Sequence, residues 1–361
     1  MLKQQKIFFD FLRFCIGSDS EIPSSLKEAD WKELYAIAKK QCLVGVLFDG
    51  IKKLPAEQVG MKMGLLFQWI AKNRMLEKAN VRLNDAAIQI SEWFRKKGFR
   101  TCILKGQGNA LMYPNPYSRT PGDIDIWVEG GDKRVISFVR SISPHEKACY
   151  HHIEFPPYKG VEVEVHYRPS FLLCFWHNRK LQKYYERVKE EQFSHRVMLG
   201  EQGEIAIPMM EFNLIFQLTH IYAHLMNEGI GLRQLVDYYY VLISDDLLLI
   251  RDRVQKELKE LGLWKFAGGI MYIMQEVFGM PASRLIVPPN EKYGKFVLNE
   301  VLEAGNFGKH DARNRFGRSK LGHNLQRVYR DMRLMRYFPA EALCEPVFRI
   351  WHFFWRVKNK K

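Results

Sequence analysis

The chain has 361 residues, of which 47% are apolar, and its 55 Lys and Arg against 40 Asp and Glu give a formal charge of +15. That composition excludes a disordered polyelectrolyte and suffices for one large domain with an extension or for two. The positive balance favours phosphates, nucleic acid or an anionic membrane surface as partners without choosing among them.

The six cysteines lack a CxxC pair and any clustered spacing, which argues against a disulfide framework or a zinc site and fits a reducing compartment. The opening fifteen residues are interrupted by Asp10 and Arg13 and do not read as a secretory leader. No apolar run reaches the roughly 20 residues that span a bilayer, so no integral membrane segment and a cytoplasmic location are expected.

In chain order, helical spacing runs through Phe8, Phe9, Phe11, Leu12 and Cys15, then Trp31, Leu34, Ile37 and Ala38, and again over 63–97 up to Gly98. Residues 1–97 are therefore expected to be a helical N-terminal region. The texture then changes. The runs "FRTCILKG" (99–106), "DIDIWVEGG" (123–131) and "GVEVEVHYRP" (160–169) read as short strands, and the proline-rich "NALMYPNPYSRTPG" between the first two reads as a loop after at most a short helix. Residues 98–200 are expected to form a compact α/β core. Helical patterns return at 210–228, 232–246 and 247–279, so 201–361 is expected to be a helical C-terminal region with a basic tail.

In a strand, residues two apart share a face, so Asp123 and Asp125 project together while Ile124 and Ile126 point the other way. Neighbouring carboxylates repel unless they are solvated, protonated or bridged by a cation, and a hard divalent ion with oxygen ligands such as Mg²⁺ removes the repulsion directly. The bland alternative is an edge strand with its polar face in water. The later strand repeats the pattern with Glu162 and Glu164, and one of these beside the aspartates would make a two-metal site able to clamp a phosphate. Lys105 and Gly106 end the preceding strand, where a glycine lets backbone approach a phosphate closely.

Further on, His220 and His224 lie one helical turn apart, and Arg233 and Asp237 have the spacing of a helical ion pair. From Lys309 to Arg336 nine Lys or Arg occur against two Asp, and Leu321, Leu325, Val328, Met332 and Met335 recur at helical spacing. An amphipathic helix with a basic face is expected there, suited to packing on the body or to a nucleic-acid acceptor.

"LKG" at Leu104 to Gly106, "YPNPYSRTPGDIDIWV" from Tyr113 to Val128 and "EVHYRP" from Glu164 to Pro169 together resemble the polymerase β-like nucleotidyltransferase superfamily. Within it the chain is most similar to a group of bacterial proteins described only as uncharacterised nucleotidyltransferases. The resemblance implies an α/β (α+β) core with a small mixed sheet, embedded in a largely helical chain. It implies that Asp123, Asp125 and Glu164 hold Mg²⁺ or Mn²⁺, with Glu162 a lesser alternative. Lys105 and Gly106 would line a nucleoside triphosphate, Arg119 would stand near the pyrophosphate or the acceptor, and Arg233 and Asp237 would lie near the nucleotide. Where the superfamily usually has Gly-Ser or Gly-Gly at the turn, this chain has Gly106 followed by Gln107.

The implied activity is transfer of a nucleoside monophosphate to an acceptor hydroxyl of tRNA, another RNA or a protein, with release of pyrophosphate. The alternative in another class is a nucleotide- or RNA-binding module on the same fold. Retention of all three acids disfavours it.

Overall fold

The computed structural model describes residues 3–201, 203–308, 311, 313 and 320–359, and of residues 307, 320, 321 and 323 the backbone alone. Lys309, Arg315 and Arg318 of the basic stretch lie outside the described residues.

The N-terminal region is helical: α1 (Lys3–Ile16), α2 (Trp31–Lys40), α3 (Val44–Ile51) and α4 (Met63–Lys96). Asp30 starts α2 because its carboxylate accepts the otherwise unpaired Lys32 and Glu33 amides at 2.9 and 3.2 Å. The 34 residues of α4 make a rod of about 50 Å. Gly98 follows it at φ +80°, a conformation that ends a helix without a Cβ clash.

Strands β1 (Thr101–Ile103), β2 (Ile124–Val128), β3 (His152–Tyr158) and β4 (Val161–His166) form one mixed sheet. Their order is β1-β2-β4-β3, with β2 and β4 parallel and the other pairs antiparallel. The short helix α5 (Gln107–Ala110) follows β1, and α6 (Gly131–Ile142) follows β2.

Every residue of β2 is buried and the strand is flanked on both sides, so the edge-strand alternative is wrong. Asp123 lies one residue ahead of it. Strand β3 was not expected, because Pro156 and Pro157 interrupt its pattern. It is tolerated as an edge strand, where a missing N–H costs no ladder bond, with a register shift between Phe155 and Tyr158.

The sheet has unlike faces. Ile124, Ile126, Val128, Val163 and Val165 pack on Ile90 and Phe94 of α4 and on Val135 and Val139 of α6. On the other face Trp127 meets Phe193 of α7 (Phe175–Ser194) at 4.6 Å and Phe212 of α8 (Met210–Asn227) at 5.8 Å. Between α7 and α8 a small ribbon, β5 (Arg196–Met198) with β6 (Glu204–Ala206), also went unexpected.

After α9 (Leu232–Leu242), the expected single helix over 247–279 is two, α10 (Leu247–Glu260) and α11 (Trp264–Glu276), broken where Gly262 takes φ +70°. Then come α12 (Glu291–Ala304), α13 (Lys320–Met335) and α14 (Pro339–Lys358). Glu341 of α14 docks this last hairpin on the body by accepting the Leu173 amide at 2.6 Å and the Cys174 amide at 3.3 Å, at the start of α7.

The expected amphipathic helix exists as α13, but its orientation differs from a helix packed by its apolar stripe. Leu325, Val328, Met332 and Met335 are exposed, while Asp331 and Leu334 are buried and Arg333 reaches Glu300 at 3.1 Å. Carboxylates on the body draw the arginines inward and turn the stripe outward. No described helix is long and apolar enough to cross a membrane.

Candidate active site

Along the Trp127 face of the sheet the apolar cover stops before Asp125, and a cleft of about 790 Å³ opens there. Parallel pairing of β2 with β4 sets Asp125 directly beside Glu164. Oxygen atoms of Asp123, Asp125 and Glu164, one from each, all lie within 4.8 Å of one another. Glu162 is exposed and does not line the cleft, so the choice between the two glutamates falls to Glu164.

Two cations face Asp125, and one of them also reaches Glu164. Lys105 Nζ is 3.1 Å from Asp125 Oδ2, and His166 Nε2 is 3.0 Å from Asp125 Oδ1 and 3.4 Å from Glu164 Oε2. The charge of Asp125, followed by burial, raises the pKa of Asp123. Burial disfavours the ionised form of Asp125, yet Lys105 and His166 outweigh it and keep its carboxyl well below the usual carboxylate range. Burial works against His166 too, but its hydrogen bonds to Asp125 and Glu164 lift it to about 9. Burial likewise lowers and the three acids raise the pKa of Lys105, with a net rise.

The donor set therefore fits a hard divalent cation: three carboxylates, all oxygen, with Asp123 still carrying uncompensated repulsion that such an ion would relieve. Asp125 has a side chain 1% exposed and Glu164 one 35% exposed, so one acid lies at the floor and the other faces the cleft.

The remaining residues singled out in the sequence divide. Gly106 sits at φ +60° at the start of the four-residue α5, a turn only glycine adopts readily. His220 Nε2 stands 3.3 Å from Lys105 Nζ, so that histidine stripe faces the site. Arg119 and Asp237 form a buried bidentate pair, Nε to Oδ1 at 2.8 Å and Nη2 to Oδ2 at 2.7 Å, with the Tyr113 hydroxyl donating to Oδ1 at 2.6 Å. Asp237 thus takes Arg119 in a bidentate pair while remaining within electrostatic reach of Arg233, whose Nη1 donates to the Thr120 carbonyl at 3.1 Å. Gly106, Arg119, Arg233 and Asp237 line a small recess of about 30 Å³ that adjoins the cleft. Lys105, Asp123 and Asp125 border both spaces.

Sequence reading missed the role of His166, although it lies two residues after Glu164 and so shares its face. It also missed His151 and His152, which line the cleft beside it.

A mixed sheet that sets three carboxylates on one face, with a lysine and a glycine turn ending the neighbouring strand, is the arrangement of a nucleotidyltransferase core. The chain belongs to the family described as uncharacterised nucleotidyltransferases, whose pattern matches residues 27–279. Among solved structures it matches an antigenic nucleotidyltransferase-like protein from Paracoccidioides brasiliensis at 13% identity and a TM-score of 0.29, over 50% of this chain and 90% of that one. No curated protein matches.

Proposed function

We propose that the protein moves a nucleoside monophosphate from a nucleoside triphosphate to an acceptor hydroxyl, with Mg²⁺ or Mn²⁺ held by Asp123, Asp125 and Glu164. The observation that carries this reading is the register of Asp125 on Glu164, with Asp123 completing an all-oxygen trio on the floor of a cleft large enough for a nucleotide. Bound there, divalent ions would neutralise the phosphates and lower the pKa of the attacking hydroxyl.

The chain's own residues do the rest. Lys105 is poised to exchange Asp125 for a phosphate oxygen, and Gly106 keeps the adjoining backbone free of a side chain. The acceptor oxygen bonds to the α-phosphorus, the bond to the β-phosphate oxygen breaks, and pyrophosphate leaves. Glu164, the half-exposed acid, is placed to take the hydroxyl proton. Arg119 and Asp237 act as a positioning pair that fixes the loop leading into Asp123, and Arg233 anchors the same loop at Thr120. Arg327 and Arg349, reaching the cleft from α13 and α14, suit an anionic acceptor such as tRNA or another RNA, a protein acceptor being the competing class.

The test is incubation with Mg²⁺, each α-labelled nucleoside triphosphate, and separate RNA, protein and sugar fractions. Label is expected in one fraction with matching pyrophosphate release, and none with the folded Asp123→Ala, Asp125→Ala variant. Full transfer by that variant overturns the assignment. Nucleotide binding without label in any fraction supports the binding module instead.

A further inference from the structure

At the rim of the cleft, apart from the carboxylate trio, the turn "CYHH" brings Cys149, His151 and His152 together. Cys149 Sγ lies 3.5 Å from His151 Nδ1 and 3.4 Å from His152 Nδ1, and donor atoms of the three residues, one from each, all lie within 4.8 Å of one another. A tetrahedral zinc ion with ordinary bond lengths spaces its sulfur and nitrogen ligands by about 3.5 Å.

Hydrogen bonding alone does not account for the cluster. His152 Nδ1 has three polar neighbours, Cys149 Sγ, His151 Nε2 at 3.0 Å and Glu164 Oε2 at 3.4 Å, and a ring nitrogen offers a single proton or a single lone pair. Such convergence on one nitrogen is what a shared cation produces.

The turn is also built to hold its shape. The Cys149 amide donates to the His152 carbonyl at 2.9 Å, and the Tyr167 and Arg168 amides donate to the His151 carbonyl at 3.0 and 3.1 Å. Arg168 Nη1 donates to the Tyr150 carbonyl at 2.7 Å, and the Tyr167 hydroxyl donates to the carbonyls of Cys149 and His152. All four carbonyls of the turn are thereby fixed, and such outer contacts orient metal ligands.

The geometry points to a zinc site formed by Cys149, His151 and His152, with its fourth position open to the cleft. A thiolate with two imidazoles selects a borderline-soft ion such as Zn²⁺, whereas the adjoining all-oxygen trio, whose Glu164 Oε2 lies 3.4 Å from His152 Nδ1, selects Mg²⁺ or Mn²⁺, so the two donor sets differ in the metal they prefer. The site does not depend on nucleotidyl transfer, and its test reads no activity.

The full chain, prepared with zinc and dialysed against Mg²⁺, is expected to retain about one zinc per molecule. Replaced by Co²⁺, the metal should show a thiolate-to-cobalt charge-transfer band that Cys149→Ser abolishes, with zinc affinity falling by more than about 100-fold, beyond the cost of an outer-contact change. Cobalt uptake without that band overturns the site, as does failure of the native chain to hold any zinc.

Should Cys149→Ser fail to fold, alkylation mapped by peptide on the native chain decides. Zinc should protect Cys149 and a chelator expose it, with Cys42 and Cys344 unchanged. Equal labelling of Cys149 with and without zinc overturns the proposal.

Discussion

Two of the carboxylate crowds among the described residues are relieved in different ways. On the cleft floor, Asp123, Asp125 and Glu164 are met by Lys105 and His166, so Asp125 and Glu164 are held below their ordinary pKa despite burial. Between α13 and α14, burial and then the charge of Glu345 lift Asp331 to about 7. In the proposed function the first group would offer its charge to a divalent cation, while the second takes up a proton. Crowded acids are thus not by themselves a metal site; what faces them decides.

The largest effect should come from Asp125, the acid that touches both cations. Asp125→Asn is expected to reduce nucleotidyl transfer by at least about 10³-fold while the chain stays folded, since several kcal/mol of charge stabilisation would depend on the metals it is proposed to hold. Calorimetric titration should show Mg²⁺ affinity falling in parallel. Transfer lost with Mg²⁺ affinity intact would move Asp125 from metal holder to lysine anchor.

Next in size is the buried pair outside both groups. Arg119→Met leaves Asp237 charged and without its guanidinium, at an expected cost of about 3–5 kcal/mol in urea unfolding. Adding Asp237→Asn, which keeps the Tyr113 hydrogen bond, should restore most of it. A single variant of native stability that no longer binds nucleotide would make Arg119 a phosphate ligand rather than a positioning residue.

These two sites also mark where sequence reading works. That a glutamate of the later strand could stand beside Asp125 was legible because strand periodicity fixes facing, but the choice of Glu164 over Glu162 came from the family resemblance, since both share a face. Arg119 with Asp237 was not, because their pairing spans the fold while helical spacing offers Asp237 the nearer Arg233. Strand β3 was hidden by prolines that an edge position tolerates. The outward stripe on α13 was hidden because hydrophobic periodicity reports a helix but not which face the body's charges attract. The Cys149 turn gave no strand or helix signal, and its convergence exists only once the backbone folds back on itself.

A smaller effect is expected where the hairpin docks. Glu341→Ala removes a carboxylate that accepts two amides at the start of α7, which should loosen α14 by about 1.5–3 kcal/mol, seen as faster hydrogen exchange along that helix. Unchanged exchange would mean that Phe348, stacked on Phe171 at 5.2 Å, holds the hairpin without it.

The smallest effect sharpens the comparison most, because it concerns a proton. Asp331 binds its proton more tightly in the fold, about 7 against the ordinary 3.8. Its contribution is therefore present in full below pH about 4 and gone once the pH has risen through about 7. Burial followed by the charge of Arg356 holds His352, on the same hairpin, down to about 4 against 6.5. Its contribution has the opposite sign, present above about 6.5 and lost as the pH falls through about 4. Across about pH 4 to 6.5 the two slopes oppose each other, so hydrogen-exchange protection of α14 in the native chain, taken relative to the intrinsic exchange rate at each pH, should vary little there and fall only between about 6.5 and 7. Asp331→Asn should uncover a hairpin that tightens as the pH climbs toward 6.5, and His352→Gln one that loosens steadily toward 7. Should Asp331→Asn leave the native profile unchanged, the carboxylates between α13 and α14 are relieved by Arg349 and Arg330, as the cleft acids are by Lys105 and His166, and the two groups do not differ in kind.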